Sequence, residues 1–274
     1  MIYHPFDKYI LNFANRFFQI MQIEIHPDYK NLKNCILDCI SQFNDKGELI
    51  YGGSRNCIKT FEVDDLVLNV KAFKKPNFIK KIIYTYIRPS KAKRSFQFAK
   101  KLKSISIGTP QPIAYVENKD ILGLSTSYYV CEHLEYDLMF RELVTEPEWP
   151  DHEIILRQFT QLCFKMHQHG IEFKDHSPGN TLIKKVGKQQ YEFYLVDLNR
   201  MNFHDHMSLE SRMHNLRRLT PKLDMVSVIA DEYARLSGEH SEKLFRMLWE
   251  QTSNFQRKFH RKKRMKSKFL VFGF

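Results

Sequence analysis

Three side chains stand out for the chemistry they could do: Asp175, Asn180, and Asp197 at the end of the apolar run Tyr194-Leu195-Val196. A loop aspartate can accept or orient the proton of an attacking hydroxyl. An amide carbonyl and a second carboxylate are hard oxygen donors of the kind Mg2+ takes. Held against a nucleotide, such a trio meets the needs of phosphoryl transfer. Each residue also has a plainer reading, because Asp is common in turns. The histidines His167, His169 and His176 do not add a metal site, since His167 and His169 lie two apart on a helix and so face different ways.

Several elements must position these groups. A helical pattern over His152 to His169, with Ile155, Phe159, Leu162, Cys163 and Met166 on one face, ends at Gly170 and delivers the chain to Asp175. Upstream, Leu49-Ile50-Tyr51, the turn Gly52-Gly53-Ser54-Arg55-Asn56, then CIKTFEV and LVLNVKAF read as strand, glycine turn, strand, tight turn, strand. Ser90 to Ser104 reads as a helix with Ser90 as its N-cap. TPQPIAYVE and Ser125 to Val130 read as two more strands, running into Cys131-Glu132-His133-Leu134. Helices are expected over 209–218, 222–237 and 240–255, and helical spacing is also found over 5–22 and about 29–43. A largely β front and a largely α rear, joined near 131–137, predict two lobes with a cleft.

The chain has 274 residues, 43% of them hydrophobic and 27% charged, a globular composition. No apolar run approaches the ~20 residues of a membrane span, and no signal-peptide pattern opens the chain. Five cysteines without a CxxC pair fit free thiols in a reducing compartment. The net charge of +12 is unevenly placed. Leu66 to Val116 holds twelve Lys or Arg and no acid, and Arg257 to Lys268 holds eight in twelve residues. Such blocks favour polyanionic partners. With no nucleic-acid motif in the sequence, no specific nucleic acid is expected among them.

The stretch HGIEFKDHSPGNTLI followed by YLVDLNR resembles the catalytic loop of the protein-kinase-like superfamily, and most nearly that of the lipopolysaccharide inner-core (Kdo/heptose) kinases. SKAKRSFQFAKKLKSISIGTPQPIAYVE is similar to the helix and following strand of the same family, and the resemblance covers roughly 51–219. It implies an α+β, bilobal protein-kinase-like fold. Residues 47–134 would be a small antiparallel-sheet N-lobe and 135–256 a helical C-lobe; beyond the resemblance, helical spacing adds an N-terminal helical extension over 1–46 and the second charge block a basic tail over 257–274. It implies Asp175 as catalytic base, Asn180 and Asp197 as Mg2+ ligands, and Lys71 as the grip on the α- and β-phosphates of ATP. Gly52 and Gly53 would form the phosphate-covering turn, and Glu132 to Leu134 the hinge whose backbone meets adenine. The implied acceptor is anionic lipopolysaccharide or a lipid A precursor. The implied location is the cytoplasm, peripheral on the inner leaflet of the cytoplasmic membrane.

Three departures stand against that pattern. The family of kinases pairs the strand lysine with a helix Glu, and no acid lies between Leu66 and Val116; Gln97 offers hydrogen bonding without charge. Ser177 stands where protein kinases carry Lys, and Asp197 is followed by Leu-Asn-Arg in place of Phe-Gly. They keep two other readings open: a silent pseudokinase-like module binding anionic lipid or other polyanions, and another small-molecule kinase. Arg200 is expected to bind a phosphate or pair with a carboxylate, His169 to buttress the loop, and Arg217 and Arg218 to form a charged helix face.

Overall fold

The computed structural model describes residues 20–271, with side chains through 265. The chain divides into two compact units: one runs through Ile105 and resumes over Pro110–Leu134, and the other takes Ser106–Thr109 and continues from Glu135.

The first unit is built on a six-stranded sheet in the order β1-β5-β6-β4-β3-β2. The strands are β1 (Ile20–Ile25), β2 (Glu48–Gly52), β3 (Asn56–Val63), β4 (Leu66–Phe73), β5 (Pro112–Asp120) and β6 (Gly123–Glu132). All neighbours are antiparallel. Val63 faces Leu66 across the tight β3–β4 turn, where Asp64 takes φ 52. Asp tolerates that left-handed conformation better than a branched residue. A 3-10 turn (Pro27–Leu32) and helix α1 (Lys33–Ser41) pack Leu32 and Ile36 against Leu68, Val70, Val116 and Val130 in one apolar core. Residues 20–25 pair with β5 as a strand, so the extension over 1–46 is not purely helical as its spacing implies; 5–19 lie outside the described residues. The run Ile20-Met21-Gln22-Ile23 satisfies both periods, and the free edge of β5 decides between them.

Helix α2 (Phe78–Ile82) leads into a π turn (Ile83–Ile87), and neither is foreseen from sequence. Helix α3 (Lys91–Ser104) follows, and Ser90 Oγ accepts from Lys93 N at 3.1 Å, the expected cap. Its Ala92, Phe96, Ala99 and Leu102 are buried, with the Phe96 ring 5.6 Å from that of Tyr115 on β5.

The second unit is mainly helical. It holds α4 (Phe140–Thr145), α5 (His152–Gln168), α6 (Leu209–Leu216), α7 (Leu223–Ser237) and α8 (Ser241–Val271). Two small sheets complete it, ordered β10-β9-β7 and β11-β8. Their strands are β7 (Leu138–Met139), β8 (Ile171–Phe173), β9 (Thr181–Gly187), β10 (Gln190–Leu195) and β11 (Met201–Phe203). Phe140, Phe159, Ile183, Ile229, Tyr233 and Leu244 share its core. The basic block from Arg257 continues α8 as helix, so the tail expected over 257–274 is helical through Val271. Ser106–Thr109 is stitched to β10: Leu195 N donates to Gly108 O at 2.9 Å, and Thr109 Oγ1 donates to Leu195 O at 2.8 Å. A Cβ at Gly108 would come 2.0 Å from Phe193 O, so this close approach requires glycine.

Candidate active site

In the second unit, α5 ends at the position the sequence marks. His169 caps it and Gly170 turns the chain at φ +66. Gly170 O accepts from His204 N at 2.8 Å, which starts the β8–β11 pairing. Asp175 follows β8. Behind this loop runs a buried polar chain. Asn215 Nδ2 donates to Phe173 O at 2.8 Å, and its Oδ1 lies 3.2 Å from His167 Nε2. An amide oxygen only accepts, so Nε2 is the donor. His167 Nδ1 then accepts from the Tyr233 hydroxyl at 3.0 Å. Every group is satisfied along a path ending two residues before Asp175, and such a network fixes a backbone firmly. The buttress is therefore His167; His169, expected in that role, is exposed. Burial pushes the His167 imidazole down to about 4.

His176, next to Asp175, is buried between aromatic rings, stacked on Phe173 at 5.6 Å and near Phe159 at 5.7 Å. Burial pushes its imidazole down to about 3. Its Nδ1 has no hydrogen-bond partner.

Asn180 Nδ2 donates to the Asp175 main-chain O at 2.8 Å, which turns the other end of the amide, Oδ1, into the atom left for a cation. Val196 N donates to Asn180 O at 3.0 Å, continuing the β9–β10 register in which Leu195 faces Thr181. Asn180 and Asp197 thus sit at adjoining ends of paired strands. Asp197 takes φ 59, and its Oδ1 accepts from Asn199 Nδ2 at 2.8 Å. A non-glycine residue in this region stores strain, which is frequent at functional sites.

Two arginines meet Asp175. Arg200 Nη1 lies 3.0 Å from Asp175 Oδ1 and Arg218 Nη1 lies 3.5 Å from the same oxygen. Arg218 also donates to Lys174 O at 3.0 Å. Arg200 thus pairs with a carboxylate, one of its two expected roles. Arg218 leaves the helix face assigned to it and belongs to the loop. Sequence spacing carried no signal for either contact, because the partners are 25 and 43 positions apart.

The first unit holds the other expected residues. Lys71 on β4 faces Tyr129 on β6, with its ammonium 5.5 Å from the Phe73 ring. From α3, Lys91 brings a second ammonium 5.7 Å from the same ring. Gln97, on the same helix, is exposed. Burial pushes the Cys131 thiol up to about 12, although the Lys71 ammonium pulls the other way. Gly52 pairs with Cys57, and Gly53 N donates to Asn56 O at 3.0 Å, so that amide is engaged within the turn. The Glu132 side chain accepts from the Tyr29 hydroxyl, and His133 N donates to Val67 O at 2.7 Å. Leu134 ends this unit.

Among the described residues no cluster of three or more His, Cys, Asp or Glu could hold a metal by itself. The pair Asn180 and Asp197 offers oxygen only. That donor set fits Mg2+, which takes one or two protein carboxylates and fills its remaining positions with phosphate oxygens and water.

Residues 70–236, more than half of the chain, match the model of the lipopolysaccharide kinase (Kdo/WaaP) family. No curated protein matches the sequence. Among solved structures the chain is similar to one described as WaaP in complex with acyl carrier protein. Identity is 16% and the TM-score 0.62, over 88% of this chain and 98% of that one. At that identity the likeness is one of fold. Lys71, Glu132, Asp175, Asn180, Asp197, Arg200 and Arg218 all fall within the family match. The chain belongs to the lipopolysaccharide kinase (Kdo/WaaP) family and is a kinase-type phosphotransferase.

Proposed function

We propose that the chain transfers the γ-phosphoryl group of ATP, with Mg2+, to a hydroxyl of Kdo or heptose in the inner core of lipopolysaccharide. The observation that carries this reading is Asn180, whose side-chain nitrogen donates to the Asp175 main-chain O while its main-chain O accepts from Val196 N, next to Asp197. One residue thereby ties the base to the metal ligands. Both guanidinium contacts of Asp175 fall on Oδ1, so Oδ2 takes the acceptor proton. The hydroxyl oxygen forms the new P–O bond as the bond from the γ-phosphorus to the ADP oxygen breaks, and the hydroxyl proton passes to Asp175. Bound Mg2+ supplies neutralisation of charge on the phosphate oxygens. Asn180 and Asp197 hold that ion, and Lys71 grips the α- and β-phosphates. The hinge backbone at Glu132–Leu134 receives adenine, and the Gly52-Gly53 turn covers the phosphates, with Gly53 serving as a spacer because its amide is engaged. The basic surface suits an acceptor that carries carboxylates and phosphates.

The test is transfer of labelled γ-phosphate to Kdo-bearing lipid A, with lipid A lacking Kdo as control. Label appearing only on the Kdo-bearing lipid, and only with Mg2+, supports the reading. Equal labelling of both lipids contradicts the acceptor, and labelling without a divalent ion contradicts the metal.

A further inference from the structure

The segment Phe78–Ile87 has its amphipathicity reversed. Asn77 Oδ1 accepts from Lys80 N at 3.1 Å and starts α2, which passes into the π turn. Facing inward are polar groups. Lys81, only 16% exposed along its side chain, pairs with Asp120, and Thr85 Oγ1 donates to Lys81 O at 2.7 Å. Thr85 also packs so closely on the β5–β6 turn that a Cβ at Gly123 would lie 2.2 Å from its Oγ1. Facing outward are Ile79 at 66% exposure, Ile82 at 41% and Tyr86 at 82%, flanked by exposed Phe78 and Ile87. The β5–β6 turn that takes the inward face adds exposed Ile121 and Leu122. A water-facing helix normally shows the opposite arrangement. A contiguous apolar patch of this kind marks an interaction surface, where scattered exposed side chains would not.

The charge around the patch selects its occupant. Lys74, Lys75, Lys80 and Arg88 are exposed on the same stretch. No acid occurs from Leu66 to Val116, and Asp120 is already paired with Lys81. A second copy of the chain would set these cations against one another. Apolar side chains ringed by lysine and arginine match the boundary between the headgroups and acyl chains of an anionic bilayer. We propose that the outward face of Phe78–Ile87, with Ile121 and Leu122, seats on an anionic lipid surface and holds the enzyme there. The proposal deepens the lipid-linked acceptor read above and rests on it, while its binding test needs no acceptor.

The full chain is sedimented with vesicles of phosphatidylcholine, with and without phosphatidylglycerol. Binding is expected only with the anionic lipid, and it weakens as salt rises. The variant Ile79→Ser/Ile82→Ser/Tyr86→Ser loses vesicle binding. Lys74→Gln/Lys75→Gln/Lys80→Gln weakens it by on the order of a hundredfold, since each of the three cations near such a surface contributes about fivefold. Having two independent variants guards against one that folds poorly, and melting temperatures identify it. The Ile79→Ser/Ile82→Ser/Tyr86→Ser variant keeps native phosphate transfer to a soluble, deacylated Kdo acceptor, a readout that separates this proposal from the catalytic reading. Native protein that ignores anionic vesicles, or folded variants that bind as the native chain does, would overturn it.

Discussion

The guanidinium of Arg200 and the carboxylate of Asp175 lie 3.0 Å apart, so the proposed base is held by a cation 25 residues further along the chain. Arg200 is 57% exposed along its side chain, where an ion pair adds at most about 1 kcal/mol to stability. Its effect is expected on rate, through the orientation of Oδ2. Arg200→Gln should leave the melting temperature nearly unchanged and lower kcat about tenfold, with KM for ATP unaltered. Steady-state kinetics checks this, and an unchanged kcat would remove Arg200 from the positioning of the base.

Asp197 combines a proposed metal contact with a left-handed backbone at φ 59. Asn tolerates that conformation and Ala does not. Asp197→Asn should therefore fold with native stability, while Asp197→Ala should lose about 1 kcal/mol or more. Both should abolish Mg2+-dependent stabilisation by ATP, which in the native chain reaches about 2.7 kcal/mol at a hundredfold excess over Kd. Thermal shift with and without EDTA reads both effects.

Acid should destabilise the second unit through two buried imidazoles. Burial holds His167 down to about 4 and His176 down to about 3. The unfolded chain takes up these protons near pH 6.5, before the folded chain does, so their contribution is complete above that pH and is lost as pH falls. Each unit of pH below it costs about 1.4 kcal/mol per histidine until the folded values are reached. Urea unfolding between pH 7 and pH 4 measures the slope. His176→Leu deletes the partnerless Nδ1 at similar volume, so it should change neutral-pH stability by less than about 1.5 kcal/mol and flatten the acid slope.

Gly170 and Gly238 form a matched pair. Both have positive φ, +66 and +75, but a Cβ at Gly170 would lie 1.8 Å from His204 O, while one at Gly238 meets nothing within 4 Å. Gly238→Ala should cost about 1 kcal/mol, the conformational penalty alone. Gly170→Ala must also displace backbone where α5 hands over to the segment that carries Asp175, and should cost at least about 2 kcal/mol. Equilibrium unfolding of the two variants gives the comparison directly.

What sequence could reveal followed from locality. The Ser90 cap, the Asp64-Asp65 turn and the stop at Gly170 are each written in a few adjacent residues, and each was legible. The spacing of Asp175, Asn180 and Asp197 carried the family resemblance, and the family match at 70–236 agrees with it. Less legible was whatever depends on distant partners. Residues 20–25 become a strand because β5 offers an edge. Arg218 turns toward the loop because Lys174 O and Asp175 are there to receive it. Lys91 reaches the Phe73 ring because α3 packs on the sheet, and Phe78–Ile87 shows no inward apolar stripe because its apolar side faces away from the core.

The most direct test of the account is single-turnover transfer of γ-phosphate from Mg2+–ATP to Kdo-bearing lipid A by native chain and by Asp175→Asn, at equal nucleotide occupancy. Native transfer with a loss of at least about a hundredfold in the variant, ATP binding being retained, is the predicted result. Transfer at the same rate by both proteins would contradict the assignment of Asp175 as the base.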